Sequence, residues 1–271
     1  MTFSIVARSA DGESWGVAVA SKFLGVGSAV PAAVAGVGAI ATQALANVAY
    51  KGLALSHLDE GATASVALQR LLEEDEGRDH RQVGIVDVDG GSASHTGTAC
   101  LDWAGGLTGE GYAIQGNILT GSDVVEAMEA AWLASDADEP LERRLLAALR
   151  AGDAAGGDSR GRQSAAVLVV REGAGYGGFD DVAVDLRVDD HAEPIPELER
   201  LLDLHELYLT ATDEDARVPV DDALRAELDA YAVSQGRADF PAWVGAENYE
   251  MRVGDDFTWI DQRILDIVRA G

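Results

Sequence analysis

Two β-rich runs at the start of the chain constrain its fold more than any other feature. Residues 3–8 (Phe-Ser-Ile-Val-Ala-Arg) and 15–20 (Trp-Gly-Val-Ala-Val-Ala) flank Asp11-Gly12. Asp-Gly suits the two positive-φ positions of a type I′ turn, so the runs read as an antiparallel hairpin. Centring the turn on that dipeptide makes paired positions sum to 23. Thr2 then lies across from Ser21 and Ser4 across from Val19, each pair on a common face.

The same patterns recur downstream. A second hairpin is expected over 82–97, turning at Asp89-Gly90-Gly91, with further strands at 37–41, 112–118, 164–171 and 182–188. Apolar residues at helical spacing predict helices near 48–58, 62–74 and 140–150, and one more after Thr120 and Asp123, which have capping-box spacing. Hairpins in place of repeated strand–helix–strand crossovers imply antiparallel sheets with helices packed outside them, a layered α+β sandwich. Asp189-Asp190-His191 and the prolines 194 and 196 interrupt this pattern. We therefore expect one domain over 1–196 and a small, mainly helical domain over 197–271, which carries Trp243 and Trp259.

Charge narrows the partners. With 47 acidic and 20 basic side chains the net charge is -27, a field that repels nucleic acid and anionic lipid. All the basic residues but Lys22 and Lys51 are Arg, a balance that suits a salt-adapted protein, with an acidic surface from a GC-rich source as the alternative. No stretch reaches the roughly 18 apolar residues needed to span a bilayer, and no leader peptide is expected ahead of the first strand, so a cytoplasmic location is expected. The single Cys100 cannot form an internal disulfide and reads as a small core residue. The five His show no metal-ligand spacing; Asp189-Asp190-His191 reads as a solvated linker, and no metal or other cofactor is expected.

Two motifs are set aside on context. Gly36-Val-Gly38-Ala-Ile-Ala41 fits the relaxed dinucleotide fingerprint, but it reads as a strand rather than as the opening of a helix. Gly157-Asp158-Ser159-Arg160-Gly161 fits the nucleophile-elbow pattern, but a helix precedes it and a strand follows, the reverse of what an elbow needs.

The N-terminus carries more chemistry. Removal of Met1 would leave Thr2 with a free α-amine, of pKa about 7.7–8.0, beside its own hydroxyl, which makes nucleophile and general base in one residue. Ser21 is the expected neighbour. Lys22 falls on the opposite face of an ideal hairpin, so its action as a cation near the amine would require a bulge; it reads equally as a solvated strand end.

Five segments taken together resemble one family: Met1-Thr-Phe-Ser-Ile-Val-Ala, Gly36-Val-Gly-Ala-Ile-Ala-Thr-Gln-Ala44, Ile114-Gln-Gly-Asn117, Gly156-Gly-Asp-Ser-Arg-Gly-Arg-Gln-Ser-Ala165 and Asp185-Leu-Arg-Val-Asp-Asp-His191. The family is number 1028 of the domains of unknown function, classified structurally with the N-terminal-nucleophile (Ntn) hydrolases. The resemblance runs in order over residues 1 to about 200, and residues 200–271 resemble a peptidoglycan-binding module that accompanies some members. It implies a four-layer αββα sandwich and places Thr2 at the nucleophile position, with no established substrate. Within the matching segments, polar residues at strand ends and in Gly-rich turns are the further candidates. Asn117 is the candidate oxyanion donor, joined by Ser21 and Lys22 at the catalytic position. Thr42, Gln43, Gln115, Asp158, Arg162 and Ser164 are candidates for holding substrate, with turn capping as their ordinary alternative role. The leading expectation is an amide hydrolase acting through Thr2 on a small, polar molecule or peptide; the alternative is a non-catalytic protein of the same fold that binds a peptide or glycan. Assembly into a homo-oligomer is left open.

Overall fold

In the computed structural model, which describes residues 2–270, the first hairpin joins β1 (Thr2–Arg8) to β2 (Ser14–Ser21) in the expected register, from Phe3 opposite Ala20 to Arg8 opposite Trp15. The turn itself differs from type I′. Four residues connect the bonded pair Ser9 and Ser14, and only Gly12 takes a positive φ, 78°. Asp11 accepts from Ser9 Oγ at 2.5 Å and from Glu13 N at 3.0 Å, so its carboxylate organises a longer loop around the same centre.

There follow α1 (Val26–Ala29), β3 (Pro31–Val34), β4 (Gly38–Ala44), α2 (Tyr50–Asp59), α3 (Ala64–Glu74), β5 (Arg81–Asp87), β6 (Ser92–Thr96), β7 (Gly105–Gly109), β8 (Tyr112–Asn117), α4 (Asp123–Ala134), α5 (Leu141–Ala154), β9 (Ser164–Arg171), β10 (Val182–Val188) and α6 (Pro194–Leu209). Thr63 caps α3 by accepting from Val66 N at 3.4 Å. Asp87 shapes the second hairpin, accepting from Gly91 N at 2.7 Å and Ala64 N at 2.8 Å.

The pairs among these strands are all antiparallel, in a six-stranded sheet of order β10-β9-β2-β1-β8-β7 and a four-stranded sheet of order β3-β4-β5-β6. Strand periodicity sends alternate side chains to opposite faces. Val6, Val17 and Val19 of the larger sheet meet Ala39, Ala41 and Val86 of the smaller one in a core between the sheets. Ile40, Val83 and Ile85 turn the other way, against Tyr50, Ala54 and Leu58 of α2 and Ala67 and Leu71 of α3. The opposite face of the larger sheet carries Phe3 and Ile5, both buried, under packed helices α4 and α5. Burial of such a side chain stabilises by about 1.5–3 kcal/mol.

The chain divides into two compact units after Arg200, within α6. The second contains β11 (Arg217–Pro219), α7 (Asp222–Ser234), α8 (Phe240–Glu247), β12 (Trp259–Asp261) and α9 (Gln262–Ala270), with a core of Leu228, Phe240, Trp243, Ile260, Ile264 and Leu265. Arg252, fully buried there, pairs with Asp261 at 3.0 Å and donates to Leu207 O at 2.6 Å, which meets the requirement that a buried charge be bonded. No described helix is long and apolar enough to cross a membrane.

Candidate functional site

β1 begins between two polar neighbours. Thr2 Oγ1 lies 3.1 Å from Ser21 Oγ at the end of β2, and Thr2 is in register with Asn117 of β8 on its other side. Ser21 is in turn opposite Ser164 of β9. One row across the end of the larger sheet therefore carries Ser164, Ser21, Thr2 and Asn117, all buried, Thr2 being the most accessible at 7%.

The smaller sheet supplies a floor of carboxamides. Gln43 of β4 and Gln82 of β5 are paired in register. Gln43 Nε2 donates to Gln82 Oε1 at 2.8 Å and to Thr2 O at 3.3 Å; Asn117 Nδ2 donates to Gln82 Oε1 at 2.9 Å and to Thr2 O at 3.5 Å. Gln82 Nε2 is anchored on Gly116 O at 2.6 Å and Thr96 Oγ1 at 2.9 Å. Ser4 Oγ donates to Gln43 Oε1 at 2.7 Å and accepts from Gln115 Nε2 at 2.6 Å. That chain of donors fixes which way each amide points. Gln115 Oε1 is buried with no hydrogen-bond partner, at a cost of about 1–3 kcal/mol. Ser4, Gln43, Gln82, Gln115 and Asn117 stay neutral at every accessible pH.

Backbone strain marks the same level. Ala44 (φ 67°) and Ile118 (φ 52°) occupy the left-handed region directly after Gln43 and Asn117. Such non-glycine positions cost on the order of 1–3 kcal/mol and concentrate at functional sites.

The other candidates are placed differently. Thr42 shares the face of Ile40, toward the helices, and its hydroxyl donates to Asn47 O at 3.4 Å, so it points away from Gln43 and Thr2. Ser164 holds the loop after β2, donating to Phe23 O at 2.5 Å and accepting from Val26 N at 3.1 Å. Asp158 clamps the same loop, accepting from Lys22 N at 2.7 Å and Arg160 N at 2.9 Å. Lys22 is exposed, and its ammonium donates to Arg162 O at 3.2 Å. Arg162 is held by Asp153 at 2.8 Å and Glu193 at 2.9 Å; Asp153 above all pushes its pKa up. A cleft of about 290 Å³ borders Asp153, Asp158 and Arg162, and Thr2 is not in its lining. A larger one of about 720 Å³ lies by Leu68, Leu72, Arg78 and Ser94, away from the amide floor. Among the described residues no group of three or more His, Cys, Asp or Glu is placed to hold a metal ion.

Sequence reasoning missed Ser4 and Gln82. Both were findable: Ser4 shares the face of Thr2 by alternation, and Gln82 is a lone carboxamide just ahead of the apolar run Val83-Gly-Ile-Val86.

A family model described as a family of unknown function (DUF1028) matches residues 2–198. The crystal structure of a protein from Silicibacter pomeroyi, assigned to the same family, is 34% identical and superposes with a TM-score of 0.68, covering 76% of this chain and 89% of that one. Anbu (ancestral beta-subunit) from Yersinia bercovieri and an Anbu (Gly-1) mutant from Hyphomicrobium sp. strain MC1 are each 11% identical, with TM-scores of 0.34 and 0.36. They cover 78% and 79% of this chain and 99% and 100% of their own, a similarity too slight to bear on fold or activity. No curated protein matches the chain.

Proposed function

This chain belongs to the DUF1028 family of unknown function, and from that premise we propose that it is an amide hydrolase of the N-terminal-nucleophile type with Thr2 as nucleophile. The arrangement of its layers is read here as the αββα sandwich of that class. One observation carries the reading: the Thr2 hydroxyl stands between Ser21 and Asn117 above a floor of neutral carboxamides. Such a floor offers no general base, so a reactive Thr2 must supply its own through the α-amine released when Met1 is removed.

The amine takes the proton of Oγ1, directly or through one water, and Oγ1 attacks the amide carbonyl carbon to give a tetrahedral oxyanion. Asn117 commits one N–H to Gln82, while its contact with Thr2 O is long at 3.5 Å, so that second N–H is only weakly engaged and is the donor we assign to the oxyanion. The ammonium then protonates the departing amine, which leaves an ester on Thr2 that water hydrolyses. Ser21 Oγ, 3.1 Å from the nucleophile, holds its rotamer. For the unit after Arg200 we propose a binding role, with a peptide or glycan as ligand, and for the whole chain a cytoplasmic location.

An α′,β′-epoxyketone tests this without a known substrate. The hydroxyl adds to the ketone and the amine opens the epoxide, so the adduct carries the whole probe mass and requires both groups on one residue. Intact mass should show loss of Met1 and a stoichiometric adduct mapping to Thr2, absent in Thr2→Ala. Retained Met1, or equal labelling of Thr2→Ala, would move the assignment to a non-catalytic binding protein.

A further inference from the structure

Five large apolar side chains stand exposed on loops leaving the Thr2 end of the two sheets: Phe23 (53%), Leu24 (63%), Leu45 (64%), Val48 (56%) and Leu101 (66%). Phe23 and Leu24 follow the end of β2 at Ser21, and Leu45 and Val48 follow β4 just past Gln43. Leu101 O accepts from Ile118 N at 2.9 Å, next to Asn117. The loops are tied down rather than frayed: Phe23 O accepts from Ser164, and Leu45 O accepts from Arg81 Nη1 at 2.6 Å.

Two of the charged candidates at this end are held by other charged groups, while the exposed Lys22 ammonium donates to the backbone carbonyl of Arg162. Asp158 is bonded to Lys22 N and to Arg160, and Arg162 to Asp153 and Glu193. Of the groups expected to hold a polar substrate, Asp158, Arg162 and Ser164 are thus engaged in holding loops, while Gln43 and Gln115 belong to the neutral floor. A charged substrate group reaching Thr2 would lose water over a neutral floor, an uncompensated cost, and an anionic one would also meet the field of a chain with net charge -27.

We infer that the amide cleaved at Thr2 carries a large, uncharged, apolar side chain beside the scissile bond, received by the rim of Phe23, Leu24, Leu45, Val48 and Leu101. The inference rests on Thr2 being the nucleophile. It replaces the polar substrate expected from sequence with an apolar one.

The test is a series of epoxyketones differing only in the side chain next to the ketone: Leu, Phe, Gln, Asp and Lys. Second-order labelling rates of the processed protein are read by intact mass, with Thr2→Ala as control. The Leu and Phe probes should react at least about 10-fold faster than the Gln probe, the discrimination an apolar pocket can provide, and faster still than the Asp and Lys probes. Leu45→Ser and Leu101→Ser, both at exposed positions, should narrow that ratio. Adducts formed on Thr2 at equal rates across the series overturn the inference and leave the nucleophile intact. So does unchanged selectivity in the rim variants together with a smaller oligomer by light scattering, which would assign the rim to a second copy of the chain. Absence of any adduct on Thr2 sinks the nucleophile and the inference together.

Discussion

At Asp75 five donors from four residues converge on one carboxylate: Gly77 N at 2.7 Å, Arg81 Nε and Tyr50 Oη at 2.8 Å, and Arg81 Nη2 and Asn47 Nδ2 at 3.4 Å. The bonds from Arg81, foremost, hold its pKa well below the usual carboxylate range, against the opposing effect of burial. Arg81 also donates to Leu45 O and precedes Gln82, so this pair ties a rim loop to the amide floor. Asp75→Asn should cost about 1.5–3 kcal/mol at neutral pH, the range for hydrogen bonds to a charged group. The sign follows from the depressed pKa: the contribution is present above the unfolded-state value of about 3.9 and is lost as pH falls toward the folded-state value. Urea unfolding should show a gap between wild type and Asp75→Asn that is constant from pH 8 to 5. Below about pH 4 it should close by up to about 1.4 kcal/mol per pH unit. A gap that stays constant down to pH 2.5 would show that Asp75 does not act through its charge.

At Gly84 β5 lacks a side chain, and Gln115 of the facing sheet occupies the space. A Cβ at Gly84 would lie 2.0 Å from Gln115 Oε1, so a larger residue there would displace the amide that Gln115 presents to Ser4. Gly84→Ala should destabilise the fold by about 1–3 kcal/mol, as overpacking does. Because Gln115 leads through Ser4 and Gln43 to Thr2, the variant should also label more slowly with the epoxyketone. Denaturant unfolding and labelling rate check the two effects separately; a neutral Gly84→Ala would mean that the sheets part easily there. Elements with a strong local signal were legible in sequence. The hairpin centre alone fixed the register of Thr2 and Ser21, and strands 164–171 and 182–188 lie where alternation placed them. β3 and β7 were not legible, being four and five residues long, with Pro31 opening one and glycines filling the other. The capping box at Thr120 failed because α4 starts at Asp123, after Ser122, with no side-chain cap. Thr120 instead lies against Gly156. The side of the sheet chosen by Thr42, and the pairing of Gln43 with Gln82, depend on tertiary stacking of strands far apart in sequence, which periodicity within one strand does not encode.

Charge belongs to the whole chain. Residues 201–271 carry 16 acidic and 6 basic side chains, net -10, which leaves -17 for residues 1–200, so both compact units are acidic and the smaller one is more so per residue. Paired carboxylates such as Asp75 and Asp261 gain from their partners, but the excess acids have no cation to meet and repel one another more in the compact state than in the expanded one. Adding KCl shortens the Debye length from about 10 Å at 0.1 M to about 3 Å at 1 M. Repulsion among exposed acids should therefore be screened, while the buried Arg252–Asp261 pair is screened far less. We expect the melting temperature to rise with KCl by roughly 2–4 °C for each kcal/mol relieved, and the unit after Arg200 to gain more per residue. Most of the rise should come below 1 M, where screening is nearly complete. A melting temperature that falls with salt would mean that surface ion pairs such as Arg162–Glu193 outweigh the repulsion. A rise that continues linearly to 3 M would point to exclusion of salt from the surface rather than to screening.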